Sequence, residues 1–313
     1  MFDLIIIGGG PAGVAAGVYA ARKRLKTLLI AEEVGGQSTV SEGIENWIGT
    51  AKLSGAELAT RFKEHLEAVK ESYVELALGE RVETLSKKEG LPAQAGVFTA
   101  LTKGGKSYEA RAVLVATGAG RKKLEVPGAA EFENKGVTYC ASCDGPLFAD
   151  MDVAVVGGGN AGFETALQLL AYCKSVTLLH RHKDFKADPI TIEKARAHKN
   201  MHILANTEPT EVVGEQFVTG LKYKDKDAGE IKELAVTGIF VEAGVIPSTA
   251  FAKGLLALDH VERIIVDAKN QRTSVEGIWA AGDCTDELYH QNNIAAGDGV
   301  KALEDIYLWL KKR

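Results

Sequence analysis

A glycine-rich hexapeptide occurs twice in the chain, as GGGPAG at residues 8–13 and as GGGNAG at residues 157–162. Each copy follows a short apolar run, LIII at 4–7 and VAVV at 153–156, and each opens an alanine-containing helical stretch. Strand, Gly-x-Gly-x-x-Gly and helix in immediate succession form the fingerprint of a dinucleotide-binding βαβ unit. In the first copy Gly8 makes the tight turn, Gly10 lets backbone approach a pyrophosphate, and Gly13 lets helix pack on strand. Gly157, Gly159 and Gly162 repeat those roles in the second. Pro11 and Ala12, like Asn160 and Ala161, fall in the first helical turn, where N–H groups and the positive dipole end favour phosphate. A chain of 313 residues has room for two such domains. The expected fold class is therefore α/β, with two Rossmann-like dinucleotide-binding domains.

The strands after the two helices end differently. The first, TLLIA at 27–31, runs into Glu32 and Glu33. A carboxylate there accepts hydrogen bonds from free ribose hydroxyls, as a dinucleotide such as FAD presents. The second, SVTLL at 175–179, runs into His180, Arg181 and His182, with Lys183 and Lys186 just beyond. Arg and Lys bind a ribose phosphate that a carboxylate would repel, which points to NADPH. Asp184 would instead face the free ribose of NADH. Two dinucleotide sites in one chain suggest hydride transfer between nicotinamide and flavin. AVLVATG at 112–118 reads as a strand ending in a turn at Gly118, GIFVEAGVIPST at 238–249 as a second strand and turn, and GIWAAGD at 277–283 as a strand ending at Gly282 and Asp283. Asp283 would reach a ribityl or phosphate-bound water beside the first loop, cap the helix that follows, or do both.

Between the first strand-turn segment and the second glycine loop lies YCASCDGPLF, residues 139–148. Cys140 and Cys143 are spaced so that their sulfurs reach disulfide distance with little distortion, and so can cycle between dithiol and disulfide. Zinc needs four ligands and no second CxxC exists, so no metal is expected. Asp144 follows Cys143 directly. An acid there opposes thiolate formation by like charge, and suits instead the delivery of a proton to a departing sulfur, or its removal. Asp144-Gly145-Pro146 is also ordinary turn chemistry. Cys173 and Cys284 read as buried single cysteines without chemistry.

A net charge of −5 with no basic block argues against nucleic acid, and no apolar run approaches the ~20 residues of a membrane span. The apolar start is too short for a secretory signal. Four cysteines are too few for a secreted disulfide framework in this length, so a cytoplasmic location is expected.

Taken in order, GGGPAG, GGQ (35–37), ENW-x-G (45–49), ATG, CxxCD, GGGNAG, HR-x-x-x-x-K, G-x-x-P and GIWAAGD resemble the low-molecular-weight thioredoxin reductases over essentially the whole chain. The resemblance implies an FAD domain from residues 1–118 and 248–313, with an NAD(P)H domain, 119–247, inserted into it and carrying the CxxC. It implies a homodimer whose partner is thioredoxin or a glutaredoxin-like redoxin, and an inserted domain that rotates on hinges near 118–121 and 244–247. By position it places Gly10, Pro11, Ala12, Gly36, Gln37, Asn46, Asp283, Gln291 and Asn292 on FAD. It places Gly159, Asn160, Ala161, His180, Arg181, His182 and Lys186 on the pyridine nucleotide. Cys143 would be the sulfur near the flavin, Cys140 the one that attacks the partner disulfide, and Asp144 the proton carrier. His182 and Lys186 stand where the family shows arginines, and Tyr289-His290-Gln291 stands for its Tyr-Arg-Gln. CDGPLF, 186–188 and 282–285 are similar instead to the flavoprotein component of alkyl hydroperoxide reductase, which prefers NADH. Three enzyme readings stand: a thioredoxin-disulfide reductase, a donor to a peroxide-reducing system through a small redoxin, and a flavin-dependent dithiol oxidase. A flavin-binding scaffold leaves the thiol pair without purpose. NADPH, NADH and a non-pyridine donor all remain candidates.

Overall fold

The computed structural model describes residues 1–40, 44, 46–69, 73–88 and 96–312, and the chain divides into two units. The first comprises residues 1–40, 47–120 and 246–313; the second comprises 121–245 with Ile44 and Asn46. Glu45 of the ENW stretch lies outside the described residues.

The first unit begins with β1 (Phe2–Ile7), α1 (Pro11–Arg22) and β2 (Thr27–Ala31). The β1 run is apolar without alternation because both faces of this parallel strand are covered, and Leu4, Ile5 and Ile6 are fully buried. Pro11 opens α1 at a position where its missing N–H costs nothing. Helix α2 (Gly55–Val69) follows, then β3 (Val74–Leu78), β4 (Val82–Lys87), β5 (Phe98–Thr102) and β6 (Ser107–Val115). The strand order is β3-β2-β1-β6-β5-β4; β1, β2, β3 and β6 run parallel, and β4 and β5 are antiparallel additions.

After β7 (Ala119–Arg121) the chain builds the second unit: β8 (Val137–Thr138), α3 (Ala141–Asp144), β9 (Asp152–Val156), α4 (Asn160–Leu169), β10 (Ser175–Leu179), α5 (Pro189–Arg196) and β11 (Met201–Leu204). A meander of β12 (Thr207–Gly214), β13 (Val218–Asp225) and β14 (Glu230–Ala235) precedes β15 (Gly238–Val241). The parallel sheet runs β11-β10-β9-β15-β8 and the meander forms a separate antiparallel sheet. The last of its strands, β14, is charged and exposed nearly throughout, unlike the apolar, buried runs 153–156 of β9 and 238–241 of β15. The Lys122 N–H donates to the Gly244 carbonyl at 2.9 Å, so the chain enters and leaves this unit side by side.

β16 (Val245–Pro247) leads back, and β17 (Ile278–Ala280) and α6 (Asn292–Lys311) close the first unit. β17 pairs with β6 in parallel. Helix α6 lies on α1 so closely that a Cβ at Gly299 would fall on the Ala12 carbonyl.

Candidate functional site

The first glycine loop joins β1 to α1 at the carboxyl edge of its sheet. Gly8 has φ +119°, and a Cβ there would collide with the Ala116 carbonyl; one on Gly13 would fall on the Gly8 carbonyl. Those two glycines serve close packing. Gly10 is different: its nearest neighbour would be Gly36 Cα at 3.9 Å, so the loop is open on the side of this N-cap. Gly36 lies on that side, Gln37 after it is exposed, and Ser38 Oγ donates to Asn292 Oδ1 at 2.8 Å, tying the segment to the start of α6. The N-cap of α6 is Gln291, so Asp283 does not cap that helix. Gly282 sits between Ala12 and Ala295, which brings the starts of α1 and α6 together. Asp283, half-buried, follows at the same edge, as does Gly118 with φ +64°. Glu32 and Glu33 are exposed at the end of β2, with Glu32 3.5 Å from Arg81. Asn46 is exposed and grouped with the second unit.

The second loop repeats the design. A Cβ on Gly157 would meet the Glu242 carbonyl and one on Gly162 the Gly157 carbonyl, whereas one on Gly159 would meet nothing within 4 Å. Gly159 is the N-cap of α4, with no side chain to occupy the first-turn N–H groups. Asn160 and Ala161 are exposed there, and Asn160 Oδ1 accepts from the Asp188 N–H at 2.7 Å. In both units, then, one glycine at a helix N-cap leaves room for a Cβ, and no side chain caps the helix-start N–H groups, which fits a pyrophosphate.

The basic stretch after β10 separates into two parts. Arg181, His182 and Lys186 are exposed, and Lys183 pairs with Asp227 at 3.2 Å. His180 is buried, its Nε2 donates to the Asp184 carbonyl at 3.0 Å, and its ring stacks on Phe185. That ring fills the space where Gly158 would carry a Cβ, so His180 supports the loop from beneath. Burial, above all, lowers its pKa and keeps it neutral.

Sequence alone does not single out Glu242. It follows β15 where the strand order reverses between β9 and β15, the crevice that open α/β sheets use for ligands. Its carboxyl accepts from Thr165 Oγ1 at 2.8 Å and lies 3.7 Å from Arg121. Desolvation raises its pKa against both partners. The only signal in sequence is an acid ending an otherwise apolar GIFV run.

Cys140 and Cys143 form a disulfide with Cα atoms 5.3 Å apart, in keeping with the spacing. Cys140 is the N-cap of the short α3, and its Sγ accepts from the Cys143 N–H at 3.2 Å. Asp144 ends α3, half-buried like Cys140, and accepts a hydrogen bond from the Thr138 hydroxyl. Cys173 and Cys284 are buried, and burial pushes each thiol up to about 11, so neither supplies thiolate at neutral pH. Among the described residues no cluster of His, Cys, Asp or Glu could hold a metal, and no helix is long and apolar enough to cross a membrane.

Residues 2–299 match the family described as pyridine nucleotide-disulphide oxidoreductase. A component of the alkyl hydroperoxide reductase of Pseudomonas putida is 42% identical over 96% of this chain and 56% of its own length. NADH dehydrogenase of Bacillus subtilis (strain 168) is 39% identical over 96% and 57%. The chain thus spans a little over half of these relatives. The crystal structure of thioredoxin reductase from Streptococcus pyogenes MGAS5005 superposes with a TM-score of 0.89 at 35% identity, covering 100% of this chain and 99% of that one. Thioredoxin reductase from Giardia duodenalis gives 0.89 at 32% identity, covering 99% of each. With that family and that fold come two cofactors, FAD and NAD(P)H. The chain belongs to the pyridine nucleotide-disulphide oxidoreductase family.

Proposed function

We propose that the chain reduces the disulfide of thioredoxin or a similar small redoxin, using reducing equivalents from NAD(P)H. The observation that carries this reading is the Cys140–Cys143 disulfide, its first cysteine half-exposed, with the Asp144 carboxyl one residue away. FAD in the first unit and NAD(P)H in the second supply, when bound, the two electrons that convert this disulfide to a dithiol. Gly10, Pro11, Ala12, Gly36, Gln37, Asp283, Gln291 and Asn292 hold the former; Gly159, Ala161, Arg181, His182 and Lys186 hold the latter.

Cys140 is the attacking sulfur. In the dithiol its thiolate keeps the Cys143 N–H, which stabilises the charge. It displaces one sulfur of the partner disulfide, forming a mixed disulfide. Cys143 then attacks Cys140 Sγ, restores the internal disulfide and releases the second partner sulfur. The two dithiol protons end on the partner, and Asp144 relays one of them to the departing sulfur. We place the protein in the cytoplasm and expect a homodimer, as the resemblance implies. A second reading draws on the identity to the alkyl hydroperoxide reductase component: the redoxin served would itself feed a peroxide-reducing partner.

Stopped-flow measurement on the FAD-loaded protein tests the reading. Cys143→Ser should leave flavin reduction by NADPH or NADH largely intact and abolish turnover of thioredoxin disulfide. Oxygen consumption with a small dithiol, in place of disulfide turnover, would make the chain an oxidase. Turnover only when a peroxidase and its redoxin are both present would favour the second reading.

A further inference from the structure

Thr138 is the last residue of β8, two positions before the first cysteine, and it is buried beside β15. Its hydroxyl does two things at once. It donates its one proton to Asp144 Oδ2, and its oxygen faces the Cys140 backbone N–H at 3.4 Å. The Asp144 N–H in turn donates to the Cys140 carbonyl at 3.0 Å. The acid, the first cysteine and the strand end are thereby linked through one side chain whose χ1 is stiff and whose surroundings are packed. An aspartate has two rotatable side-chain bonds, and a carboxyl that swings cannot serve a sulfur at hydrogen-bond range.

We propose that Thr138 is a positioning residue, holding the Asp144 carboxyl in register with the Cys140–Cys143 pair for proton delivery to the departing sulfur. The proposal rests on the reading of Asp144 as the proton carrier. It makes no contact with either nucleotide necessary, and it assigns the hydroxyl a role that valine, its isostere in a buried strand, cannot fill.

The consequence is chemical and separable from folding. An alkyl thiol needs a proton as it leaves, whereas an aromatic thiol of low pKa leaves readily as thiolate. A misplaced acid therefore slows the first and spares the second. The test uses the FAD-loaded protein with two probes, bis-hydroxyethyl disulfide and the aromatic dithiobis-nitrobenzoate, under saturating NAD(P)H. Thr138→Val should slow reduction of the alkyl disulfide about 10-fold, a part of the ~10²–10⁴-fold that a positioned acid contributes, and change the aromatic one less than about 2-fold. Thr138→Ser, which keeps the hydroxyl, should recover the alkyl rate. In an Asp144→Asn background, Thr138→Val should cause no further loss. Equal slowing of both probes by Thr138→Val, a serine variant as slow as the valine one, or a valine loss that adds to that of Asp144→Asn would each overturn the role. If Asp144→Asn slows the alkyl probe and Thr138→Val does not, the role of Thr138 alone falls. If Asp144→Asn slows neither probe while Cys143→Ser blocks both, the reading of Asp144 falls and takes this role with it.

Discussion

Two alanine substitutions three residues apart should separate ligand from fold in the second unit. Gly159 has φ −93° and ψ −176°, ordinary extended backbone that alanine adopts, and its Cβ would have nothing within 4 Å. Alanine is a poorer N-cap than glycine by up to about 1 kcal/mol, and lowers unfolded-chain entropy by a similar ~0.4–1 kcal/mol. The melting temperature of Gly159→Ala should thus stay within about 2 °C of wild type. If pyrophosphate approaches this backbone, the methyl group displaces it and a charge-assisted hydrogen bond worth about 1.5–3 kcal/mol is lost. That corresponds to roughly 10- to 100-fold weaker NAD(P)H binding at 1.4 kcal/mol per decade. At Gly162 the methyl would instead fall on the Gly157 carbonyl, backbone against backbone, and α4 must move off β9. Overpacking of this kind costs about 1–3 kcal/mol, a fall of roughly 3–10 °C. Flavin reduction followed against NAD(P)H concentration, with thermal melts of the same samples, reads both quantities. A Gly159→Ala variant with unchanged melting and unchanged apparent Kd would refute the placement of the nucleotide at this loop.

Two further outcomes are expected. His182→Arg adds a fixed charge beside Arg181 and Lys186, all exposed after β10, and should raise the NADPH-to-NADH ratio of kcat/KM by roughly 10-fold; an unchanged ratio would mean that position 182 does not face the ribose phosphate. For Glu242, burial raises the carboxyl above its ordinary value, so the folded chain holds this proton more tightly than the unfolded one. Stability then falls as pH rises from the ordinary carboxylate range through the raised value. Glu242→Gln removes that slope, so its melting temperature relative to wild type should be higher at pH 7 than at pH 4; a difference constant across that range would refute the argument.

What sequence reveals here follows from the range of the interactions. The two glycine loops are legible because strand, turn and helix are contiguous, and SVTLL at 175–179 coincides with β10. The cysteine pair needs only a spacing of three. Helix ends are less legible: the sequence pattern carries the first helix to about Arg24 and the second to about Tyr172, whereas they stop at Arg22 and Leu169. In both, the last turn is completed by carbonyls that a periodic pattern does not distinguish from helix. His180 reads as one of a row of basic ligands, because nothing local says that its ring fills the space left by Gly158. Glu242 and Thr165 lie 77 positions apart, so their pairing is a product of tertiary structure alone. Thr138 reads as an ordinary strand residue, since its hydroxyl acquires meaning only when α3 folds back over it.

The strand and helix that complete the first unit, β17 and α6, come after residues 121–245 in the chain. A ribosome adds about 5–20 residues per second, so the second unit is fully synthesised while the first still lacks both. The second unit has all its own strands in hand and can fold at once. The first must wait with the edge of β6 unpaired and the α6-facing side of α1 uncovered. Nascent chains should therefore acquire protease resistance from the middle outward. A chain stalled before residue 278 would carry a finished thiol pair while the sheet of the first unit was still unclosed.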